Sequence, residues 1–205
     1  MNLNFEEEIK KEKRIKIVKE CIIWLVEIFL VVVVAYFVIH FCYIRTSTIG
    51  SNMEPTLYNG EEVLVNTKAY KILSPDREDV VAFYDRETPA EEGEEPLLSF
   101  RRIIGLPGET IQISDGKILI DKKEWKSDYS FDAIVTAGIA EQEIKLSEDE
   151  YFVLCDARAD SDDSRNVAFG NVKKEQIIGK VSFRYKPFSR VKGPVSKPEE
   201  TKKPE

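Results

Sequence analysis

The stretch CIIWLVEIFLVVVVAYFVIHFCYI, Cys21 to Ile44, carries a single charge, Glu27, and constrains this chain more than any other feature. The hydrocarbon core of a bilayer requires an apolar helix of about 20 residues, so residues 21–44 are predicted to form a transmembrane helix. A removable signal peptide would show an apolar region of roughly 7 to 15 residues and then a small-residue cleavage site. Neither is seen, and the anchor is expected to stay attached. Lys10, Lys11, Lys13, Arg14, Lys16 and Lys19 precede the run, whereas the far flank offers Arg45 and then uncharged residues through Met53. Basic residues beside a helix end favour the cytoplasm, and acidic ones count for little. The basic segment 1–20 is therefore expected in the cytoplasm, with a single pass through the cell membrane and the main domain extracytoplasmic. Membrane lipid is then one partner. Glu27 is read as snorkelling, protonated or meeting a partner helix in preference to marking a functional site.

Beyond the run, the pattern changes from continuous apolarity to short alternating segments. Asn59-Gly60 is a turn signal and EEVLVNT follows with Val63 and Val65 two apart. DVVAFYD, EYFVLCD and IIGKVSFRYKPF read as further strands. SFRRIIGLPGETIQISDGKILID reads as a strand, a Leu-Pro-Gly turn and a hairpin pivoting on Asp115-Gly116, where positive φ is tolerated. ETPAEEGEEP, Glu87 to Pro96, is too polar to bury and reads as a solvated loop. Residues 45–190 are thus expected to form an all-β domain, and 191–205, without aromatics, a disordered tail.

Composition removes several functions. With 30 basic against 37 acidic residues, the net charge of −7 speaks against a nucleic-acid surface. The three cysteines show no metal-ligand spacing, and Cys155, alone in the main domain, is read as a buried small hydrophobe. No metal and no cofactor are expected. His40, the only histidine, lies in the apolar run, so a Ser-His-Asp or Cys-His mechanism has no base in the main domain.

Four stretches resemble, in order, the boxes of the type I signal peptidases, membrane-anchored serine endopeptidases whose base is a lysine. SNMEPTL resembles Ser-Met-x-Pro-Thr-Leu, and GEEVLVN resembles Gly-Asp-x-Val-Leu-Val-Asn. FRRIIGLPGE resembles Lys-Arg-x-x-Gly-Leu-Pro-Gly-Asp, and CDARADSDDSR resembles Gly-Asp-Asn-Arg-x-x-Ser-x-Asp-Ser-Arg. The match covers most of Ile49 to Phe188 and implies two packed antiparallel sheets, signal-peptidase-like, that form a peptide-binding groove. By this resemblance Ile49, Met53, Leu57 and Phe100 shape pockets for small side chains, with Gly50 and Ser51 beside them. Asp156, Arg158, Ser161, Asp163 and Arg165 match the last box, with Ser161 and Asp163 near the base. Cys155 and Ala157 depart from that box.

The two positions that carry the family's chemistry are changed. The nucleophile position is Asn52 and the base position is Arg101. A Ser-Lys dyad works because a desolvated lysine loses its proton and can accept the hydroxyl's. A guanidinium stays protonated and offers donors only, and a carboxamide nitrogen has its lone pair delocalised into the carbonyl. An ion pair from Arg101 to Asp163 is expected to fill the former catalytic space. Ser51, one residue away, should point to the opposite face of an extended loop.

Two functions follow. The first is a non-catalytic, membrane-anchored signal-peptidase-like protein that binds extended segments of exported or surface proteins. Homologues lacking the dyad are associated with pilus assembly in Gram-positive bacteria, so the resemblance implies pilin subunits as partners. The alternative is an active type I signal peptidase that uses another nucleophile.

Overall fold

The structure is a computed structural model that describes residues 3–84 and 97–194. The acidic stretch 87–96 and the tail beyond Pro194 lie outside the described residues. Two units are distinguished, Met1–Cys42 and Tyr43–Glu205.

The first unit is one helix, α1 (Leu3–Cys42), 40 residues and so about 60 Å long at 1.5 Å per residue. Among the described residues, its Lys11–Cys42 portion is the one helix long and apolar enough to cross a membrane. Helical structure runs through the basic segment that precedes the apolar run. It stops two residues before the end predicted from sequence. Tyr43 and Ile44 open strand β1 (Tyr43–Ser47), paired with Asn66 and Val65. Aromatic and β-branched residues followed by Arg-Thr-Ser suit a pleated strand once a partner is present.

The second unit is built from β2 (Glu62–Asn66), β3 (Val80–Tyr84), β4 (Leu98–Gly105), β9 (Glu150–Leu154), β10 (Val172–Lys173), β11 (Ile177–Arg184) and β12 (Ser189–Arg190), together with β1. These form one antiparallel sheet in the order β1-β2-β11-β3-β4-β9-β10, with β12 on β11. A second sheet has the order β7-β6-β5-β8, from β5 (Thr110–Ser114), β6 (Lys117–Ile120), β7 (Lys123–Trp125) and β8 (Ile144–Lys145). A short helix, α2 (Ala69–Ile72), follows β2. The expectation of two antiparallel sheets and one N-terminal apolar helix is met.

Period-two alternation explains the cores. Val63 and Val65 of β2 and Ile111 and Ile113 of β5 are buried while their neighbours are less so. Strand β4 serves three apolar clusters. Phe100 packs with Met53, Leu57, Val63 and Val65, Ile104 packs with Ile111 and Phe152, and Ile103 packs with Val81, Tyr151 and Val153. The Asp115-Gly116 hairpin has φ of 50° and 72°, with Ser114 paired to Lys117. Gly105 is needed for close approach: a Cβ there would lie 2.8 Å from side-chain atoms of Ile111, Leu146 and Phe152. Contrary to a disordered tail starting at 191, Val191 is buried in the Met53–Phe100 cluster. The Lys192 carbonyl accepts a 2.8 Å hydrogen bond from Arg102 Nη1, so buried contacts hold this segment where local composition gives no sign of it.

Candidate functional site

The loop between β1 and β2 is held at its base and at its middle. Thr48 N donates to the Glu61 carbonyl at 2.9 Å and Gly60 N to the Thr48 carbonyl at 2.8 Å. Gly50 has φ +83°, a left-handed conformation suited to glycine, and its N–H donates to Asn59 Oδ1 at 3.1 Å. The turn from Ser51 to Glu54 closes at 2.9 Å, and Leu57 N returns to the Met53 carbonyl at 2.8 Å. Met53 and Leu57 are thereby sunk into the core. Thr56 adds two anchors, its hydroxyl accepting from Arg102 Nη2 at 3.2 Å and its carbonyl from Arg184 Nη2 at 2.6 Å. Finally Ala157 N donates to the Asn52 carbonyl at 3.0 Å, tying this loop to the segment after β9.

These anchors bring Asn52 and Arg101 to one place, with Asp162 between them. Asn52 Nδ2 donates to Asp162 Oδ2 at 3.0 Å. Arg101, on β4 and nearly sealed from solvent, forms an ion pair through Nη2 with the same oxygen. Its Nε donates to the Asp162 carbonyl at 2.7 Å and its Nη1 to the Phe100 carbonyl at 2.7 Å. Every nitrogen of the guanidinium is therefore a committed donor. Its carbon lies 5.5 Å from the Phe169 ring centroid, within cation–π range.

The expected Arg101–Asp163 pair is not formed. Asp163 points inward, where Oδ1 accepts from Arg165 N at 3.0 Å and Arg165 Nε at 2.9 Å. Its Oδ2 accepts from Arg165 Nη2 at 2.7 Å and Cys155 N at 2.9 Å. Of the two adjacent aspartates, Asp163 turns back to support its own loop and Asp162 meets Arg101. Asp156 is likewise buried, gripped by Arg102 through Nε at 2.7 Å and Nη2 at 2.5 Å. Arg158 and Arg165 are buried too, whereas Ser161 is exposed.

Around Asn52 and Arg101 lies a cleft of about 160 Å³ whose wall includes Ile49, Gly50, Met53, Leu57 and Phe100. Ser51 is exposed and not part of that wall. Thr48, Leu97, Leu98, Ser99 and Asp162 complete it, residues that the family resemblance does not point to. Leu98 was legible as the residue two before Phe100 on the same strand face, while Asp162 had no signal beyond an extra acid in DSDDSR. Cys155, beneath the cleft, has its thiol pKa pushed up by burial, and Sγ lies 3.4 Å from the Asp162 carbonyl. Among the described residues no group of His, Cys, Asp and Glu side chains is placed to hold a metal ion. The arrangement can donate hydrogen bonds and present an apolar trough, but it offers no neutral amine or imidazole to take a proton.

The family model described as signal peptidase, peptidase S26, matches residues 21–186. The chain belongs to the signal peptidase family. Signal peptidase IB of Staphylococcus aureus (strain COL) is 30% identical over 199 residues, covering 90% of this chain and 98% of its own length. Signal peptidase I P of Bacillus subtilis subsp. natto is 29% identical over 192 residues, covering 89% and 97%. A crystal structure of a signal peptidase I from Enterococcus faecalis V583 aligns with 28% identity and a TM-score of 0.39 over 53% of this chain and 97% of that one. The signal peptidase match takes in both the apolar helix and the β domain. Membership of this family implies binding of the signal peptides of exported preproteins, and helix α1 fits a single-pass membrane protein.

Proposed function

We propose that this member of the signal peptidase family binds extended segments of exported or surface proteins without cleaving them. On this reading residues 1–20 are cytoplasmic, the apolar run crosses the cell membrane in contact with lipid, and the β domain works outside. Asn52 and Arg101 occupy the nucleophile and base positions, and the wall from Ile49 to Leu57 with Phe100 receives the bound segment. Pilin subunits of Gram-positive pili are the specific partners proposed, with the chain assisting their assembly.

The observation that carries the reading is the shared use of Asp162 Oδ2 by Asn52 Nδ2 and Arg101 Nη2. A carboxylate that accepts from both residues leaves the first as an amide donor and the second as a paired cation. Neither is a nucleophile or a base at neutral pH. The alternative, an active type I signal peptidase, needs another nucleophile, and exposed Ser51 lies outside the cleft wall.

The test is to incubate the detergent-solubilised full chain with a preprotein bearing an Ala-x-Ala site. No mature product is expected, while photo-crosslinking from a probe at Leu98 should capture the precursor. Mature product formed by material free of contaminating protease, and lost in Ser51→Ala, would replace this reading with the enzymatic one.

A further inference from the structure

Three arginines of the last two signal-peptidase boxes, Arg102, Arg158 and Arg165, lie in the interior, and their partners differ. Arg102 donates from Nε, Nη1 and Nη2 to Asp156, the Glu78 and Lys192 carbonyls and Thr56. Arg165 donates from the same three nitrogens to Asp163 and to the carbonyls of Thr136, Arg158 and Asp160. Arg158 is 2% exposed, yet its Nε and Nη1 have no hydrogen-bond partner. The neighbouring carboxylates of Asp156 and Asp163 are already engaged by the other two arginines. Phe131 covers the guanidinium at 4.5 Å, which offsets part of its desolvation but accepts no N–H bond. Burial lowers its pKa to about 10, so it is still cationic at neutral pH.

Arg158 also forms part of the wall of a second cleft, about 360 Å³, between the β6–β7 hairpin and the segment that follows it. This cleft has no lining residue in common with the Asn52 cleft. Trp125 and Phe131 supply aromatic walls, and the charged lining is Lys117, Lys126 and Arg158 against Glu124 and Asp132, a balance of +1. Glu124 is held by Lys117 at 3.2 Å and Lys126 at 3.4 Å. A buried cation whose Nε and Nη1 lack acceptors is costly, and a charge-assisted hydrogen bond to an anion offsets that cost. We infer that the Trp125–Phe131 cleft is a carboxylate-binding site in which Arg158 receives an acidic side chain or the C-terminal carboxylate of a polypeptide. Its existence does not depend on whether the Asn52 cleft cleaves or only binds.

The chain has two tryptophans, Trp24 and Trp125, so Trp24→Phe leaves the cleft residue as the sole tryptophan, excited selectively over tyrosine. The full-length variant in detergent micelles is titrated with three probes: acetyl-Ala-Glu-Ala-amide, acetyl-Ala-Ala-Ala with a free C-terminus, and acetyl-Ala-Gln-Ala-amide. At least one carboxylate probe is expected to change Trp125 emission saturably, and which one does so identifies the source of the anion. The glutamine probe should give no saturable change. Adding Arg158→Met, which removes the guanidinium and keeps an unbranched side chain, should weaken the response by about tenfold or more, as loss of one charge-assisted hydrogen bond implies. A second readout needs no Arg158 variant: in ¹⁵N-labelled protein one arginine Nε–H signal should move with the same carboxylate probe. Absence of saturation with both carboxylate probes, an equal response to the glutamine probe, or a stationary set of arginine Nε–H signals would overturn the inference.

Discussion

Asn52 Nδ2 donates to Asp162 Oδ2 at 3.0 Å, and Arg101 Nη2 is ion-paired to that same oxygen. The consequence is electrostatic as much as steric. A guanidinium alone in the cleft would attract anions, and a carboxylate alone would raise the proton affinity of any base beside it. Together they leave a near-neutral, donor-saturated patch in the cleft wall. On the proposed reading Asn52 and Arg101 act with a third residue, Asp162, and a variant designed to cleave must take account of it.

The double variant Asn52→Ser with Arg101→Lys is expected to cleave an Ala-x-Ala precursor poorly, because Asp162 keeps the new lysine protonated. Each unit by which the carboxylate raises the lysine pKa removes about tenfold of the free amine. Adding Asp162→Ala should raise the cleavage rate by about tenfold and extend activity toward lower pH. A triple variant no faster than the double at any pH would show that Asp162 does not govern that position.

Asp162→Ala alone should destabilise the β domain. It leaves Arg101, whose side chain is 4% exposed, without its carboxylate, while Asp162 itself is 36% exposed and solvent can partly substitute. Loss of a hydrogen bond to a charged group is worth about 1.5–3 kcal/mol, and partial solvation places the cost at the lower end. Thermal unfolding followed by circular dichroism should show a lowered Tm, recovered in large part by Arg101→Leu in the same chain. Failure of that second change to recover stability would mean that Asp162 acts through its loop rather than through the cation.

The apolar helix, the alternating strands and the Asp115-Gly116 hairpin were legible because each is encoded locally, by continuous apolarity, by a period of two or by a turn that needs positive φ. The Arg101 partner was not. Choosing between Asp162 and Asp163 requires knowing which way a loop residue faces, and that is settled by the inward hydrogen bonds of Asp163 to Arg165 and Cys155 N. Val191 escaped for a related reason. A short segment with little regular structure is held by contacts from Arg102 and the Phe100 cluster, and no local pattern records them. Leu98 lies two residues before Phe100 on β4, and the strand period alone places both on one face.

Glu150 gives a stability dependence whose sign can be worked out. Its pKa is lowered in the folded chain, first by the hydrogen bond from the Ser147 main chain, against a smaller opposing effect of burial. Ser147 N donates to Glu150 Oε2 at 3.1 Å. The unfolded chain thus binds the proton more readily, and stability rises with pH between the lowered and the ordinary value. The contribution is complete above the ordinary glutamate range and is lost as pH falls through the lowered value. Glu150→Gln should therefore have a lower Tm than wild type at neutral pH, with the difference closing in acid. A difference that stays constant with pH would assign the effect to packing instead.

Arg102 and Asp156 should be a demanding pair in the β domain, since both side chains are fully buried, as are those of Arg165 and Asp163, and are joined at 2.5 Å. Arg102 also gathers the Glu78 and Lys192 carbonyls and the Thr56 hydroxyl, so it links β4, the cleft loop and the last described residues of the chain. Removing one partner of a buried pair costs about 3–5 kcal/mol, because the other charge is stranded. Asp156→Ala should approach that value in urea unfolding of the full chain in detergent. Arg102→Lys should also be poorly tolerated, because a single ammonium has three donors and cannot reproduce the planar fork that serves Asp156, two carbonyls and a hydroxyl. Such a lysine variant should release Val191–Pro194 first, seen as faster amide exchange at Val191, whose N–H donates to the Ser182 carbonyl at 3.0 Å. Wild-type exchange at Val191 in Arg102→Lys would show that the apolar cluster alone, and not the arginine, holds the Val191–Pro194 segment.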